Sequence, residues 1–166
     1  MSDRYDIIIV GAGPAGSMAA WHASLGGAKV LLLEKDRDIG LPVRCAEGVG
    51  AAGLQSIVEA DSRWIANKIE GVNLISPHGK SVHLVNEDFG YVLNRKIFDN
   101  FLAEKASKAG AEVLTKAYVE ELLFNENGDV SGVVFSHLGK RQSLGAKIVM
   151  GADGVESRVG RWAGIR

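Results

Sequence analysis

The sequence predicts an α/β fold built around a parallel sheet, and three consecutive segments support that prediction. Residues 5–10 form a largely β-branched run, which is typical of a strand buried on both faces. Pro14 stands where a helix can begin, and that helix is expected to end at Gly26 and Gly27. Residues 29–34 predict a second buried strand. Together the segments predict a βαβ unit, whose crossover should be right-handed.

The remaining segments predict a long loop, a β-meander and further helices. Glycines and alternating charges oppose a long regular element over residues 35–53. Asn94 is the expected N-cap of an amphipathic helix, and Ile97 is expected on its apolar face. Residues 127–128 (Asn-Gly) predict a hairpin turn. After residue 34 we expect, in order, a loop (35–53), a helix (54–68), a hairpin (71–76 and 80–85), the amphipathic helix (94–109), strands (112–116, 117–124, 130–136), a strand edge (142–145) and a last buried strand (146–150).

The composition is that of a globular protein and excludes several function classes. The chain is 46% hydrophobic and 23% charged, with a formal net charge of -1, so no basic field would attract nucleic acid. The single cysteine cannot form an intramolecular disulfide, and the N-terminus lacks the apolar region of a signal peptide, which favours a cytoplasmic location. No stretch approaches the roughly 18 apolar residues that span a bilayer. Any membrane association would therefore be peripheral.

The turn after the first strand carries the pattern G-x-G-x-x-G. Gly11 is expected to make the tight turn, Gly13 to let the backbone approach a pyrophosphate, and Gly16 to let helix and strand pack closely. Such a turn places the phosphates at the N-terminus of the helix. Glu34 ends the second strand, where a carboxylate accepts hydrogen bonds from adenosine ribose hydroxyls and repels a 2′-phosphate, so NADP is disfavoured. The alternative is a glycine-rich turn in an α/β domain with a solvent-exposed glutamate.

The segments after residue 34 do not continue as repeated βαβ units, and four stretches are similar to one family of flavoproteins. The chain resembles the N-terminal part of the geranylgeranyl reductase family, within the wider group that includes p-hydroxybenzoate hydroxylase. The first and last stretches are shared by many flavin monooxygenases, whereas the second is the discriminating one. The stretches are DIIIVGAGPAGSMAA with LLLEK, LPVRCAEGV, YVLNRKIFDNFLAEKASKAGAEV and GADGVESRVGRWAGI.

The resemblance implies a Rossmann-like FAD-binding domain with a three-layer ββα arrangement and a β-meander. It implies that residues 1–166 are this domain, truncated before a substrate domain that would build a prenyl tunnel, so that catalysis by these residues alone is not expected. It also implies cofactor contacts for residues besides Gly11, Gly13 and Gly16. Ala15 and Glu34 would contact the ADP half of FAD, and Cys45, Ala46 and Gly48 would approach the cofactor from the loop. Arg95 would contact the nucleotide, the backbone of Val119 would lie near the adenine, and Asp153 would also contact the cofactor.

Three of these residues have structural alternatives. Cys45 could be an inert small hydrophobic residue, although the surrounding glycines favour a loop that something approaches closely. Arg95 stands at a helix start, where a cation is unfavourable unless an anion lies nearby, and it could instead pair with Asp99. Asp153 could be only a turn or cap residue.

The family resemblance implies reduction of carbon–carbon double bonds in geranylgeranyl chains of archaeal membrane lipids. FAD would deliver the hydride, and Cys45 is the candidate catalytic residue for positioning or proton supply. The implied partners are a prenylated lipid and an electron donor, reduced ferredoxin or a nicotinamide nucleotide, with peripheral membrane contact open to the full-length protein. The alternatives are an aromatic hydroxylase, a quinone-linked dehydrogenase or a non-catalytic nucleotide-binding module. The four histidines have no metal-ligand spacing, and no metal site is predicted.

Overall fold

The computed structural model describes residues 4–165, without the side chain of Glu87. The described chain forms two compact units: one combines the chain up to Leu41 with the chain from Asp99 onward, and the other is Pro42–Phe98. The elements are, in order, β1 (Arg4–Val10), α1 (Pro14–Leu25), β2 (Val30–Leu33), β3 (Gly48–Gly50), α2 (Ala51–Gln55), β4 (Ile65–Ile75), β5 (Ser81–Leu93), α3 (Arg95–Lys108), β6 (Glu112–Leu114), β7 (Ala117–Phe124), β8 (Val130–His137), β9 (Lys140–Gly151) and α4 (Val159–Trp162).

The first unit contains a six-stranded sheet in the order β6-β2-β1-β9-β8-β7. Strand β1 pairs in parallel with β2 and with the C-terminal half of β9, and β6 pairs in parallel with β2. Strands β7, β8 and the N-terminal half of β9 form an antiparallel meander. This mixed sheet follows from the sequence, because βαβ crossovers give parallel pairs and short turns give antiparallel pairs.

Two hydrophobic cores lie on opposite faces of the parallel strands. On one face Ile9 and Leu32 pack with small residues of the helices, including Ala20 of α1 and Ala106 of α3. On the other face Ile8 and Leu31 belong to a cluster with meander side chains, among them Val119, Val133 and Phe135. The helices, the parallel strands and the meander therefore form three layers, which confirms the predicted ββα arrangement.

The βαβ unit forms as the sequence predicts. Ile8 and Ile9 are both fully buried, as expected for a strand covered on both faces. Helix α1 begins at Pro14 and ends at Leu25, and the amide of its C-cap residue, Gly26, donates to the carbonyl of His22. Gly27 then adopts a positive φ of 83°, a conformation that residues with a Cβ rarely take.

The second unit is built on a three-stranded antiparallel sheet in the order β3-β5-β4. Strands β4 and β5 form a long hairpin, whose pairing includes the predicted strands 71–76 and 80–85. Gly90 of β5 allows a close approach to β3, because a Cβ there would lie 2.2 Å from the carbonyl oxygen of Val49. Trp64 is buried against Phe98, with ring centroids 5.0 Å apart.

The helix predicted over residues 54–68 is wrong. The helix is the short α2, and the chain enters β4 at Ile65, which pairs with Leu93 of β5. Between them the carboxylate of Asp61 accepts the amide N–H of Arg63 at 2.9 Å, which fixes a turn instead of a helical bond. Strand pairing thus overrides a local pattern that was compatible with a helix.

Two burial predictions also need correction. Residues 146–150 were expected to be a buried strand, yet in β9 only Ala146 of this stretch is buried, and Ile148 is 55% exposed. Residue 97 was expected on the buried face of α3, yet Ile97 is 43% exposed, whereas Phe98 and Leu102 are buried. The N-cap prediction is confirmed, because Oδ1 of Asn94 accepts the amide N–H of Ile97.

Candidate cofactor site

Two glycines of the turn are required by the protein's own backbone. Gly11 has a φ of +100°, and a Cβ at this position would lie 2.4 Å from the carbonyl oxygen of Ala152. A Cβ at Gly16 would lie 1.8 Å from the carbonyl oxygen of Gly11. Both contacts are far shorter than any real Cβ contact, so these glycines allow β1, α1 and the end of β9 to meet. Their roles agree with the tight turn and the close packing predicted from the sequence.

Gly13 differs from its neighbours, because no protein atom explains its lack of a side chain. Its φ of -67° is open to any residue, and a Cβ added there would meet nothing within 4 Å. Gly13 is the N-cap of α1, which has no side-chain cap and no acidic residue in its first turn. The amides of Ala15 and Gly16 therefore stand at a helix N-terminus that neither a cap nor a carboxylate occupies, as an anion site requires.

The carboxylate of Glu34 is fixed beside this turn. Oε2 accepts the amide N–H of Ala12 at 2.7 Å, and Oε1 accepts the amide N–H of Asp36 at 2.9 Å. Each oxygen accepts one of these two bonds and has further acceptor capacity, which ribose hydroxyls can use. The backbone also ties Glu34 to β7, because its carbonyl accepts the amide N–H of Ala117. The glycine turn and the acidic residue thus form one arrangement, as the sequence predicted.

Asp153 is held by local hydrogen bonds after β9. Its carboxylate accepts the Ser157 hydroxyl at 2.7 Å and the amides of Arg158 and Val159 at 2.7 and 3.1 Å. Burial alone would raise the pKa of Asp153, but these donors outweigh it and lower the pKa below its usual range. The structure thus gives Asp153 the role of fixing the start of α4, which was the alternative considered from the sequence.

Val119 lies in the interior of β7. Its side chain belongs to the buried core, so any contact with a cofactor involves its backbone. It pairs with Phe135, and a register shift between Val119 and Glu121 interrupts the ladder directly after it. Such irregularities leave backbone groups without their regular ladder partners.

In the second unit Cys45, Gly48 and Arg95 are brought together. Nη1 of Arg95 lies 2.9 Å from Sγ of the exposed Cys45, and the amide N–H of Glu47 donates to the same sulfur at 3.3 Å. Gly48 begins β3, which pairs with β5 beside the start of α3. Ala46 lies between Cys45 and Glu47 in the same loop. The sequence predicted functional roles for Cys45 and Arg95 separately but not their contact.

Sequence reasoning also missed residues that act through their backbone. The amide of Ala12 holds Glu34, and its carbonyl accepts the buried Ser17 hydroxyl at 3.0 Å. Ala152 contributes the carbonyl that excludes a side chain at Gly11. Neither alanine carries a chemical group that a sequence pattern would indicate. The only available signal was position, between two glycines of the turn and directly after the last strand.

Comparison with known proteins identifies the family. The FAD binding domain family matches residues 4–166, and the chain belongs to this family. Digeranylgeranylglycerophospholipid reductase 1 of Methanococcoides burtonii is 50% identical over 99% of this chain and 41% of that protein. The digeranylgeranylglycerophospholipid reductase of Methanocella arvoryzae is 52% identical over 99% of this chain and 43% of that protein.

A solved structure also matches this chain over its whole length. The crystal structure of a geranylgeranyl bacteriochlorophyll reductase-like protein from Thermoplasma acidophilum matches with a TM-score of 0.92 and 41% identity. The match covers 100% of this chain and 43% of that one. The chain therefore spans less than half the length of these relatives.

FAD is the cofactor of this domain, and the glycine turn fits it. Gly13 leaves room beside a helix N-terminus for a pyrophosphate, and Glu34 offers a fixed carboxylate that can accept hydrogen bonds from ribose hydroxyls. Among residues 4–165, no helix combines the length and apolar character needed to cross a membrane. Within the same described range, no group of three or more His, Cys, Asp or Glu side chains could hold a metal ion.

Proposed function

We propose that this chain is the FAD-binding part of an oxidoreductase that reduces carbon–carbon double bonds of geranylgeranyl chains in archaeal membrane lipids. The observation that carries the proposal is the 50% identity, over 99% of the chain, with a protein named digeranylgeranylglycerophospholipid reductase. The glycine turn and Glu34 support it, because they provide the nucleotide site that such a flavoenzyme needs. The remaining part of the longer protein is proposed to hold the prenyl chain.

The residues proposed to contact FAD fall into two sets. In the first unit they are Gly11, Gly13, Ala15, Gly16 and Glu34, with Val119 through its backbone and Asp153. In the second unit they are Cys45, Ala46, Gly48 and Arg95. Of these, Gly13 has the most specific support, since no contact within the protein requires a glycine there. Asp153 has the least, since local donors already engage its carboxylate.

Saturation of an isolated alkene requires a hydride at one carbon and a proton at the other. Reduced FAD, when bound, supplies the hydride. Cys45 is the proposed proton source, because its thiol is exposed on the loop and is held by two donors. The S–H bond breaks as the new C–H bond forms, and the sulfur regains a proton from water.

The substrate and the electron donor belong to the same proposal. A lipid carrying geranylgeranyl chains, such as digeranylgeranylglycerophospholipid, is the proposed substrate. Reduced ferredoxin or a nicotinamide nucleotide is the proposed donor. We propose a cytoplasmic location with peripheral membrane contact, since the substrate is a membrane lipid.

Anaerobic incubation of the full-length, flavin-loaded protein with this lipid and dithionite tests the proposal. Mass spectrometry should show the gain of two hydrogens for each double bond reduced. Cys45→Ala should slow this reduction while the protein retains its FAD. Failure of the wild-type protein to reduce the lipid would contradict the proposed activity, and hydroxylation of an aromatic substrate in air would favour the hydroxylase alternative.

A further inference from the structure

The second unit holds the Cys45 sulfur between two hydrogen-bond donors. Nη1 of Arg95 lies 2.9 Å from Sγ, and the Glu47 amide nitrogen lies 3.3 Å from it. The first donor carries a full positive charge. Hydrogen bonds in which a partner is ionised are shorter and about twice as strong as neutral ones. The sulfur is therefore placed to accept negative charge.

The backbone on both sides of this contact is fixed. Glu47 has a φ of 62°, a left-handed conformation that is uncommon for a residue with a side chain. Its carbonyl accepts the amide N–H of Leu93 at 3.0 Å, which ties the cysteine loop to the end of β5. Asn94 follows and donates its amide to the carbonyl of Trp64 at 2.7 Å, so Arg95 starts α3 from a held position. Strand pairing thus sets the positions of the two backbone segments that carry the sulfur and the guanidinium.

Electrostatics explain why a cysteine sulfur beside Arg95 is favourable. A cation in the first turn of a helix is disfavoured by the partial positive charge of the helix N-terminus. An anion beside Arg95 offsets that cost. A thiol that gives up its proton becomes such an anion, and donors directed at the sulfur stabilise it.

We propose that Arg95 is a positioning residue for Cys45: it holds the sulfur in place and stabilises the thiolate that remains after proton transfer. This inference rests on the proposed function, in which the thiol proton moves to the alkene carbon that does not receive the hydride. Arg95 touches neither reacting carbon and acts through the sulfur. If Arg95 instead contacted only the nucleotide, its replacement would change the affinity for FAD and leave Cys45 unaffected.

Alkylation of Cys45 tests the pair without any need for turnover. The full-length, flavin-loaded protein is treated with iodoacetamide at one neutral pH, and the peptide containing Cys45 is followed by mass spectrometry. Arg95→Gln should slow alkylation about fivefold, because it removes the charge-assisted donor that holds the sulfur and stabilises it as its proton leaves. Arg95→Lys, which keeps the charge, should restore more than half of the rate.

Arg63→Gln is the matched control. It removes the same charge in the same unit, from a guanidinium that pairs with Asp61 at 2.7 Å. Its alkylation rate should equal that of the wild type. An unchanged rate in Arg95→Gln, or equal slowing in Arg63→Gln, would overturn the proposal.

A coupling measurement separates this inference from the proposed function. If Arg95 acts through the sulfur, Arg95→Gln combined with Cys45→Ala should reduce the lipid no more slowly than Cys45→Ala alone. Additive losses in the two variants, measured with the protein fully loaded with FAD, would overturn the positioning role. If the wild-type protein reduces no lipid, the proposed function fails, and the alkylation rates still decide whether Arg95 controls Cys45.

Discussion

Exchange of single glycines for alanine in the nucleotide turn separates residues that the fold requires from a residue that the cofactor requires. In Gly16→Ala the new Cβ would lie 1.8 Å from the carbonyl oxygen of Gly11. Relief of this clash needs a backbone shift of about 1 Å, and overpacking of this kind costs typically 1–3 kcal/mol. The flavin-free Gly16→Ala protein should therefore be less stable by at least about 1 kcal/mol.

Gly13→Ala should behave in the opposite way. Alanine fits the φ of -67° and meets no protein atom within 4 Å. Alanine has less conformational entropy than glycine in the unfolded chain, which stabilises the folded protein by about 0.4–1 kcal/mol. Alanine is also a poorer N-cap than glycine, which destabilises the protein, so the two effects nearly cancel. A methyl group beside the N-terminus of α1 would nevertheless keep the pyrophosphate away from the amides. FAD affinity should fall at least about tenfold, which corresponds to about 1.4 kcal/mol.

Two assays on purified, flavin-free protein check this contrast. Urea denaturation measures the free energy of unfolding, and quenching of flavin fluorescence on titration with FAD measures the affinity. We expect Gly13→Ala to change the affinity and leave the stability within about 0.5 kcal/mol of the wild type. A Gly13→Ala protein that binds FAD as tightly as the wild type, or that is as destabilised as Gly16→Ala, would refute the assignment of Gly13 to the cofactor.

Three further substitutions test the remaining parts of the site and the core. Asp153→Asn should lower the free energy of unfolding by about 1 kcal/mol at pH 7, because it weakens the start of α4. The folded-state pKa of Asp153 is lowered, so the wild-type protein loses this stabilisation as its carboxylate becomes protonated. Urea denaturation should therefore show the difference between variant and wild type shrinking as the pH falls below about 4. Glu34→Gln should weaken FAD binding about tenfold in the fluorescence titration, since it removes the carboxylate that accepts the Ala12 amide and is proposed to accept the ribose hydroxyls; unchanged affinity would contradict that role. Phe135→Ala, at a fully buried core position, should lower the free energy of unfolding by about 3–5 kcal/mol, and a loss below about 1 kcal/mol would contradict the packing of the meander on the parallel strands.

The first part of the chain could be predicted because several local signals agree there. The apolar run before Gly11, the proline after Gly13 and the glycines after Leu25 each indicate the same βαβ unit, and Glu34 follows at the expected distance. Each signal reflects a constraint within a few residues of itself. The structure confirms this unit and also shows that the constraint on Gly13 differs from those on Gly11 and Gly16.

The second unit was harder to predict because its structure depends on distant pairing. Residues 54–68 satisfy a helical pattern locally, but Ile65 pairs with Leu93, which lies far along the chain. The contact between Cys45 and Arg95 has the same origin, since the pairing of β3 with β5 brings the two residues together. A pattern read over neighbouring residues contains no information on such pairings.

The most direct test of the proposed reaction is a single turnover followed by the absorbance of the flavin. The full-length, flavin-loaded protein is reduced with dithionite without excess under anaerobic conditions and then mixed with the geranylgeranyl lipid or with its fully saturated analogue. We expect the visible flavin absorption to return with the unsaturated lipid and not with the saturated one, as the double bonds gain hydrogen. A spectrum that stays bleached with both lipids, and recovers only when oxygen is admitted, would contradict alkene reduction.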